Sequence, residues 1–345
     1  MFTKHIIFLF LLSLVNKIYS NLESNNEWNN FKSVYHKSYD SMEEITRKKI
    51  YKQNLVKIKQ HNMEFEKGLH TYSLGVNEFM DWTQEEFNEK MRLNENAYNL
   101  SSLKRTGHLG LKFRLNKQIV LPKSLDWRDE KIVSRVKNQG ECGSCWAFSV
   151  TGVLESALAR LTGNVVELSE QQLVDCDKSN YGCNGGYMHN AITYAKNNGW
   201  LMTSSQYPYK GVKGKCFAQQ VNSPKVKING YEFVEYGNEM ELKETLSTVG
   251  PISIAIHVSD YGNLMFYKKG VFTDHTCEAS LVNHAVLLVG YGEENGVPYW
   301  LIKNSWGEKF GENGYIRMRR DANNMCGVAS MSVYPLLVRS INEEL

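Results

Sequence analysis

The sequence predicts an α+β protein: a cysteine-free helical leader, then a larger body with a helical first half and an antiparallel β second half. Three observations carry this. All seven cysteines (142, 145, 176, 183, 216, 277 and 326) fall after residue 140. Between about 121 and 230 the apolar residues recur at helical spacing, while from about 231 to 335 they bunch into short aliphatic and aromatic runs. Residues 21–120 also carry a slight basic excess and the remainder a slight acidic one, consistent with a leader that docks on the body. A helical half beside an antiparallel half places a site in the cleft between them.

In chain order, Lys4 and His5 precede an apolar run from Ile6 to Val15. About ten apolar residues cannot span a bilayer but suit a signal-peptide core, so 1–20 reads as a signal segment cut after Ser20. Ile18 is larger than the residue usual two places before such a cut. No other stretch is long enough to cross a membrane. In the leader, 21–120, Trp28, Phe31 and Tyr35 form a helical stripe. A second helix begins at Ser41, with Glu44 three residues on as a capping box. Its residues Glu43, Arg47, Tyr51, Asn54, Ile58 and Asn62 share one face. From Asn94 to Ile119 the chain is polar and aperiodic, an exposed linker containing the sequon Asn99-Leu100-Ser101, which predicts glycosylation at Asn99. The body, 121–345, starts at Leu121. Its helices are predicted over 145–161, 169–176 and 188–197, and its strands over 252–258, 284–291, 299–303 and 315–318.

Composition narrows the function. With 345 residues, 42% hydrophobic and 22% charged, the chain is an ordinary globular sequence. A formal charge of +3 argues for neither nucleic acid nor an acidic membrane surface. A secretory route makes the cysteines disulfides first, and an odd count leaves one thiol free. Six cysteines admit 15 pairings, which spacing alone leaves open.

The segment from Gln139 to Phe148 turns a glycine-punctuated loop into a helix at Cys145. Unpaired N–H groups and the dipole at a helix N-terminus favour a thiolate, the nucleophilic form. His284 and Asn304, 139 and 159 residues downstream, supply a base and a group to orient it. Cys142 and Cys145 could instead form a redox pair or half a zinc site. Against these, Trp146 follows the pair rather than preceding it, and Cys176 and Cys183 are too widely spaced for a second zinc pair.

With these residues in hand, the chain resembles a papain-family cysteine protease of the cathepsin L-like group. The resemblance rests on Cys142-Gly143-Ser144-Cys145-Trp146, with His284 in Val282-Asn283-His284-Ala285-Val286 and Asn304 in Lys303-Asn304-Ser305-Trp306-Gly307. Asn304 lies slightly beyond the usual spacing, which the turn-rich 292–298 absorbs. The leader matches that group's propeptide twice: in the six-residue helical face, with Tyr51 in place of Phe or Trp, and in Gly75-Val76-Asn77-Glu78-Phe79-Met80-Asp81.

The resemblance implies a papain-like fold, with a helical lobe, an antiparallel β-barrel-like lobe, the active site in the cleft, and a helical inhibitory propeptide over 21–120. It pairs Cys142 with Cys183, Cys176 with Cys216 and Cys277 with Cys326, leaving Cys145 free. It gives Gln139 and the Cys145 backbone N–H to an oxyanion hole, and makes Trp306 a shield over His284 and Asn304. Asn184-Gly185-Gly186 becomes the strip that holds substrate backbone. Tyr187, Met188, Ala255, Val282, Ala285 and Met331 become an uncharged pocket for a bulky residue two places before the cut. The implied activity is endopeptidase cleavage, with no cofactor and no metal. The implied partners are protein and peptide substrates, the chain's own propeptide and cystatin-like inhibitors, for a monomer binding neither nucleic acid nor membrane and ending in the lysosome or outside the cell. A catalytically silent binding protein on the same scaffold is the alternative, disfavoured because Cys145, His284 and Gln139 are all kept. Asn283 stands where many relatives have Asp, and the tail 338–345 reads as solvated. Paired leader carboxylates, with Glu43, Glu78 and Asp81 as the candidates, are expected to release the leader on acidification.

Overall fold

In this computed structural model, residues 25–91, 120–219, 224 and 227–337 are described. The predicted signal segment 1–20, Asn99 with its whole linker 94–119, and the tail 338–345 lie outside them. Among the described residues no helix is long and apolar enough to cross a membrane.

The leader begins with helix α1 (25–34) crossing the long helix α2 (Ser41–Glu66). Trp28 and Phe31 meet Tyr51 at ring distances of 5.4 and 5.0 Å. The predicted capping box is corrected here. Asp40, one residue earlier, caps α2 by accepting the Met42 and Glu43 N–H groups at 2.9 Å. A carboxylate there also meets the positive end of the helix dipole. Glu44 is thereby free to accept Trp28 Nε1 at 2.9 Å and to pair with Lys32. A reciprocal box does occur further on, at helix α3 (Gln84–Met91). Glu86 N–H donates to Thr83 Oγ1 at 3.2 Å and Thr83 N–H to Glu86 Oε2 at 2.9 Å.

The polar face of α2 folds the rest of the leader onto itself. Asn54 Nδ2 donates to the Met80 and Trp82 carbonyls at 3.0 and 3.1 Å. Asn62 exchanges two hydrogen bonds with the Leu74 backbone, and Arg47 bonds the Asp81 carbonyl and the Glu86 carboxylate. These bonds present strand β1 (Tyr72–Leu74) to the body.

The body's first half packs α4 (Cys145–Thr162), α5 (Glu170–Cys176) and α6 (Met188–Asn198), with left-handed glycines, Gly163 and Gly199, ending α4 and α6. The second half supplies β3 (Ile228–Phe233), β4 (Ile252–Ile256), β5 (Tyr267–Phe272), β6 (His284–Glu294), β7 (Val297–Lys303), β8 (Tyr315–Arg319) and β9 (Ser332–Leu337). Helix α7 (Glu239–Val249) interrupts what the sequence reads as strands only. Asn238 caps it by accepting the Glu241 N–H.

The strands form one nine-stranded sheet in the order β1-β5-β8-β7-β6-β4-β9-β3, with β2 (Leu125–Asp126) pairing β6. Neighbours are antiparallel except β5 and β8. Leader strand β1 thus extends the body's sheet, with Tyr72 opposite Gly270. Gly270 has φ 95°, and a Cβ there would lie 2.4 Å from the Thr71 carbonyl oxygen, so only glycine admits the leader strand so closely. Strand β4 ends before the predicted Val258, because Asn283 accepts the Val258 N–H at 2.8 Å and donates to its carbonyl at 3.1 Å. The amide thus replaces a strand neighbour, and a carboxylate could not supply the donor.

Candidate active site

Helix α4 positions the thiol. Its residues from Cys145 to Ser156 are all buried, and Ser149 Oγ donates to the Val286 carbonyl at 2.7 Å, tying the helix to β6. At Gly152 an added Cβ would come within 3.0 Å of Leu287, so glycine lets the helix approach the sheet. Cys145, the first residue of α4, is fully buried and is the free cysteine; the other six form Cys142–Cys183, Cys176–Cys216 and Cys277–Cys326.

Across the cleft, His284 opens β6 and Asn304 follows the last residue of β7. His284 Nε2 lies 2.8 Å from Asn304 Oδ1. The Ser305 N–H donates to that same oxygen at 2.8 Å, which fixes it as an acceptor. His284 Nε2 is therefore the donor, and the tautomer leaves Nδ1 to take a proton. The Trp306 ring stacks on the imidazole at 4.7 Å and is itself fully buried, excluding water from the His284–Asn304 bond. Backbone N–H groups, first that of Ala285 next to His284, lower the Cys145 pKa, but burial dominates and pushes it up to about 12.

Gln139 is buried in the same wall. Its backbone N–H donates to the Ser305 carbonyl at 2.9 Å, and its Oε1 accepts from Ser305 Oγ at 2.6 Å. Its amide nitrogen donates to the Cys142 carbonyl at 3.0 Å and lies 3.5 Å from the Met91 carbonyl of the leader. Gly185 and Gly186 run beside Cys142, held by the Cys142–Cys183 disulfide and the Gly143–Asn184 bridge. A Cβ on Gly186 would meet Trp146 at 2.7 Å. Met188, Ala255, Val282, Ala285 and Met331 are buried in one apolar cluster with Cys145, and Tyr187 packs at its edge.

The leader covers this wall. Phe79 and Phe87 place ring edges on Trp306 at 5.8 and 5.2 Å, and Lys90 pairs with Glu141. Its carboxylates do not behave uniformly. Burial pushes Glu86 up, but hydrogen bonds from Arg47 and the Thr83 backbone hold it below the usual range. For Glu78 burial prevails over Lys37 and Asn138 and raises it, against the expectation of a depressed value.

Two features were not assigned from sequence. Ser305 lies inside the Asn304 motif, but its contacts with Gln139 arise only when the lobes meet. Behind the site, Lys137 Nζ pairs with Glu155 and Glu170 at 2.7 and 2.6 Å, and Lys303 Nζ donates to Ser134 at 2.9 Å. The available signal was Glu155, a charge on the apolar face of α4.

Comparison with known proteins gives the same picture. Residues 121–336 match the family "Papain family cysteine protease", and residues 28–87 match "Cathepsin propeptide inhibitor domain (I29)". Cathepsin L of Sarcophaga peregrina is 42% identical over 313 residues, covering 90% of this chain and 92% of the relative. Pro-cathepsin H of Medicago truncatula is 47% identical over 312 residues, covering 89% and 85%. The solved structure of digestive procathepsin L2 from Tenebrio molitor larval midgut superposes with a TM-score of 0.83 at 40% identity, covering 91% of this chain and 100% of that one. The chain belongs to the papain family of cysteine proteases, as a cathepsin L-like member made with its own propeptide inhibitor domain.

Proposed function

We propose that the chain is a cysteine endopeptidase made as a zymogen, in which Cys145, His284, Asn304 and Gln139 carry the reaction. His284 Nδ1 takes the Cys145 proton, and the thiolate adds to the scissile carbonyl carbon. Gln139 Nε2 and the Cys145 backbone N–H hold the oxyanion. Collapse expels the amine, protonated by His284, and leaves a thioester. Water, deprotonated by His284, then adds to the thioester and releases acid and free thiol. Asn304 keeps the imidazole in the required tautomer throughout. The observation that carries this reading is the 2.8 Å His284–Asn304 bond beneath Trp306, opposite a free thiol at a helix N-terminus.

The apolar cluster around Met188 and Met331 supports a preference for Leu, Phe or Val two residues before the cut. The domain reading is signal segment 1–20, leader 21–120 and protease 121–345, with glycosylation at Asn99. Inhibition by cystatin-like proteins, a monomeric state, and delivery to the lysosome or the exterior complete the proposal. The test is a peptide library profiled with wild-type and Cys145→Ala protein after leader removal. Cleavage with a bulky apolar residue two places before the cut, lost at least a thousandfold in Cys145→Ala, is expected. Near-wild-type turnover by the variant sinks the mechanism, and a wild-type preference for Arg at that position sinks the pocket assignment.

A further inference from the structure

Ser144 occupies the N-cap of α4, yet its hydroxyl makes no capping bond to the helix. Serine at that position ordinarily accepts an N–H from the first turn. Here Ser144 Oγ lies 2.6 Å from Tyr209 Oη, and Tyr209 Oη donates to the Gln139 backbone carbonyl at 2.7 Å. Proton counting fixes the direction. A carbonyl cannot donate, so the single phenolic proton goes to Gln139, and the Ser144 hydroxyl must donate to Tyr209. The alternative acceptor for Ser144, the Cys142 carbonyl, is at 3.4 Å.

Tyr209 is itself held in place. Its ring meets Phe148 of α4 edge-on at 4.9 Å. Its loop is clamped by Gln171 of α5, which accepts the Lys210 N–H at 2.7 Å and donates to the Val212 carbonyl at 2.8 Å. One oxygen atom therefore grips Gln139, which carries one candidate oxyanion donor, and Ser144, the residue immediately before Cys145, whose N–H is the other. The opposite side of Gln139 is fixed by Ser305.

We propose that Tyr209 is a positioning residue for the oxyanion hole, setting the Gln139 amide against the Cys145 N–H and keeping the Ser144 hydroxyl off the first turn of α4. This inference rests on the assignment of Gln139 and Cys145 N–H as oxyanion donors, and the experiment separates the two. In the processed enzyme, Tyr209→Phe keeps the ring and removes the hydroxyl. Expected are a kcat lowered about tenfold with KM within about twofold, short of the hundredfold typical of deleting a donor itself. A peptide aldehyde, whose hemithioacetal oxygen sits where the oxyanion forms, should bind about tenfold more weakly. Alkylation of Cys145 by iodoacetamide, which needs no oxyanion hole, should keep its rate. Gln139→Ala should lose about a hundredfold in kcat, and adding Tyr209→Phe to it should cost little more. If Gln139→Ala is costly while Tyr209→Phe leaves kcat and aldehyde affinity unchanged, the inference fails alone. If Tyr209→Phe slows alkylation as much as turnover, its role is general packing and the inference also fails. If Gln139→Ala is harmless, the oxyanion reading beneath it is wrong.

Discussion

Helices α2 and α4 are the long helices of the leader and the protease body, and they are held by different physics. In α2, 26 residues long, only Tyr51, Ile58 and His61 are buried. It is secured by side-chain hydrogen bonds to backbone and by ion pairs such as Arg47–Glu86 at 2.7 Å. In α4, 18 residues long, everything from Cys145 to Ser156 is buried. Apolar burial hardly responds to pH, whereas paired carboxylates and histidines do. The helix that carries Cys145 is thus built to persist under acid, and the leader helix is built from contacts that acid can remove.

The largest expected effect breaks the comparison on the α4 side, at its one buried charge. Glu155→Ala leaves Lys137 short of a partner and removes the acceptor of Ser134 and of the Leu168 N–H. Stripping one partner from a buried pair costs about 3–5 kcal/mol. In the full chain carrying Cys145→Ala to prevent self-cleavage, the melting temperature should fall by roughly 10 °C. A fall of one or two degrees means this ion cluster is not what ties the lobes together.

On the α2 side, Asn54→Ala deletes two bonds to the segment between β1 and α3, worth about 1–2 kcal/mol. The loss should stay within the leader. Trace active enzyme should cut the Cys145→Ala full chain about tenfold faster, while the melting of the body is unchanged. A parallel loss in both would show the two regions to be one cooperative unit.

The smallest effect concerns pH. His61 stacks on His70 at 4.1 Å and touches Tyr72, whose ring meets Phe272 of the body at 4.8 Å. Burial, with His70 and Lys57 nearby, lowers the His61 pKa, against the opposing pull of Glu64 and the Tyr72 carbonyl. The unfolded leader therefore binds a proton that the folded leader refuses. The fold that docks is unaffected above about pH 6.5 and weakens as pH falls below it. Glu86, held low, adds the same sign nearer its unfolded value, while Glu78, held high, opposes it. His61→Gln should shift the midpoint of cleavage by trace enzyme downward by a few tenths of a pH unit. An unmoved midpoint excludes His61 from the trigger.

Much of this protein was legible from the chain. Helix α4 was readable because its period, its glycine stop and the signature around Cys145 are all local, and an odd cysteine count required an unpaired thiol. The long leader helix was legible for the same reason, although its cap was displaced to Asp40, a carboxylate standing one residue before the serine that looked suitable. Helices α3 and α7 were overlooked despite local caps at Thr83 and Asn238, since neither has a wide apolar face to betray its period.

Tertiary structure alone decided what depends on residues far apart in sequence. Leader strand β1 joins the body's sheet at Gly270 only because both edges arrive there unpaired. Gln139 meets Ser305 and Tyr209 only when loops from different parts of the chain converge, and Glu155 finds Lys137 only behind the cleft. Protonation followed the same rule: whether Glu78 rises or Glu86 falls depends on how much water docking removes and which donors remain, and no stretch of sequence contains that balance.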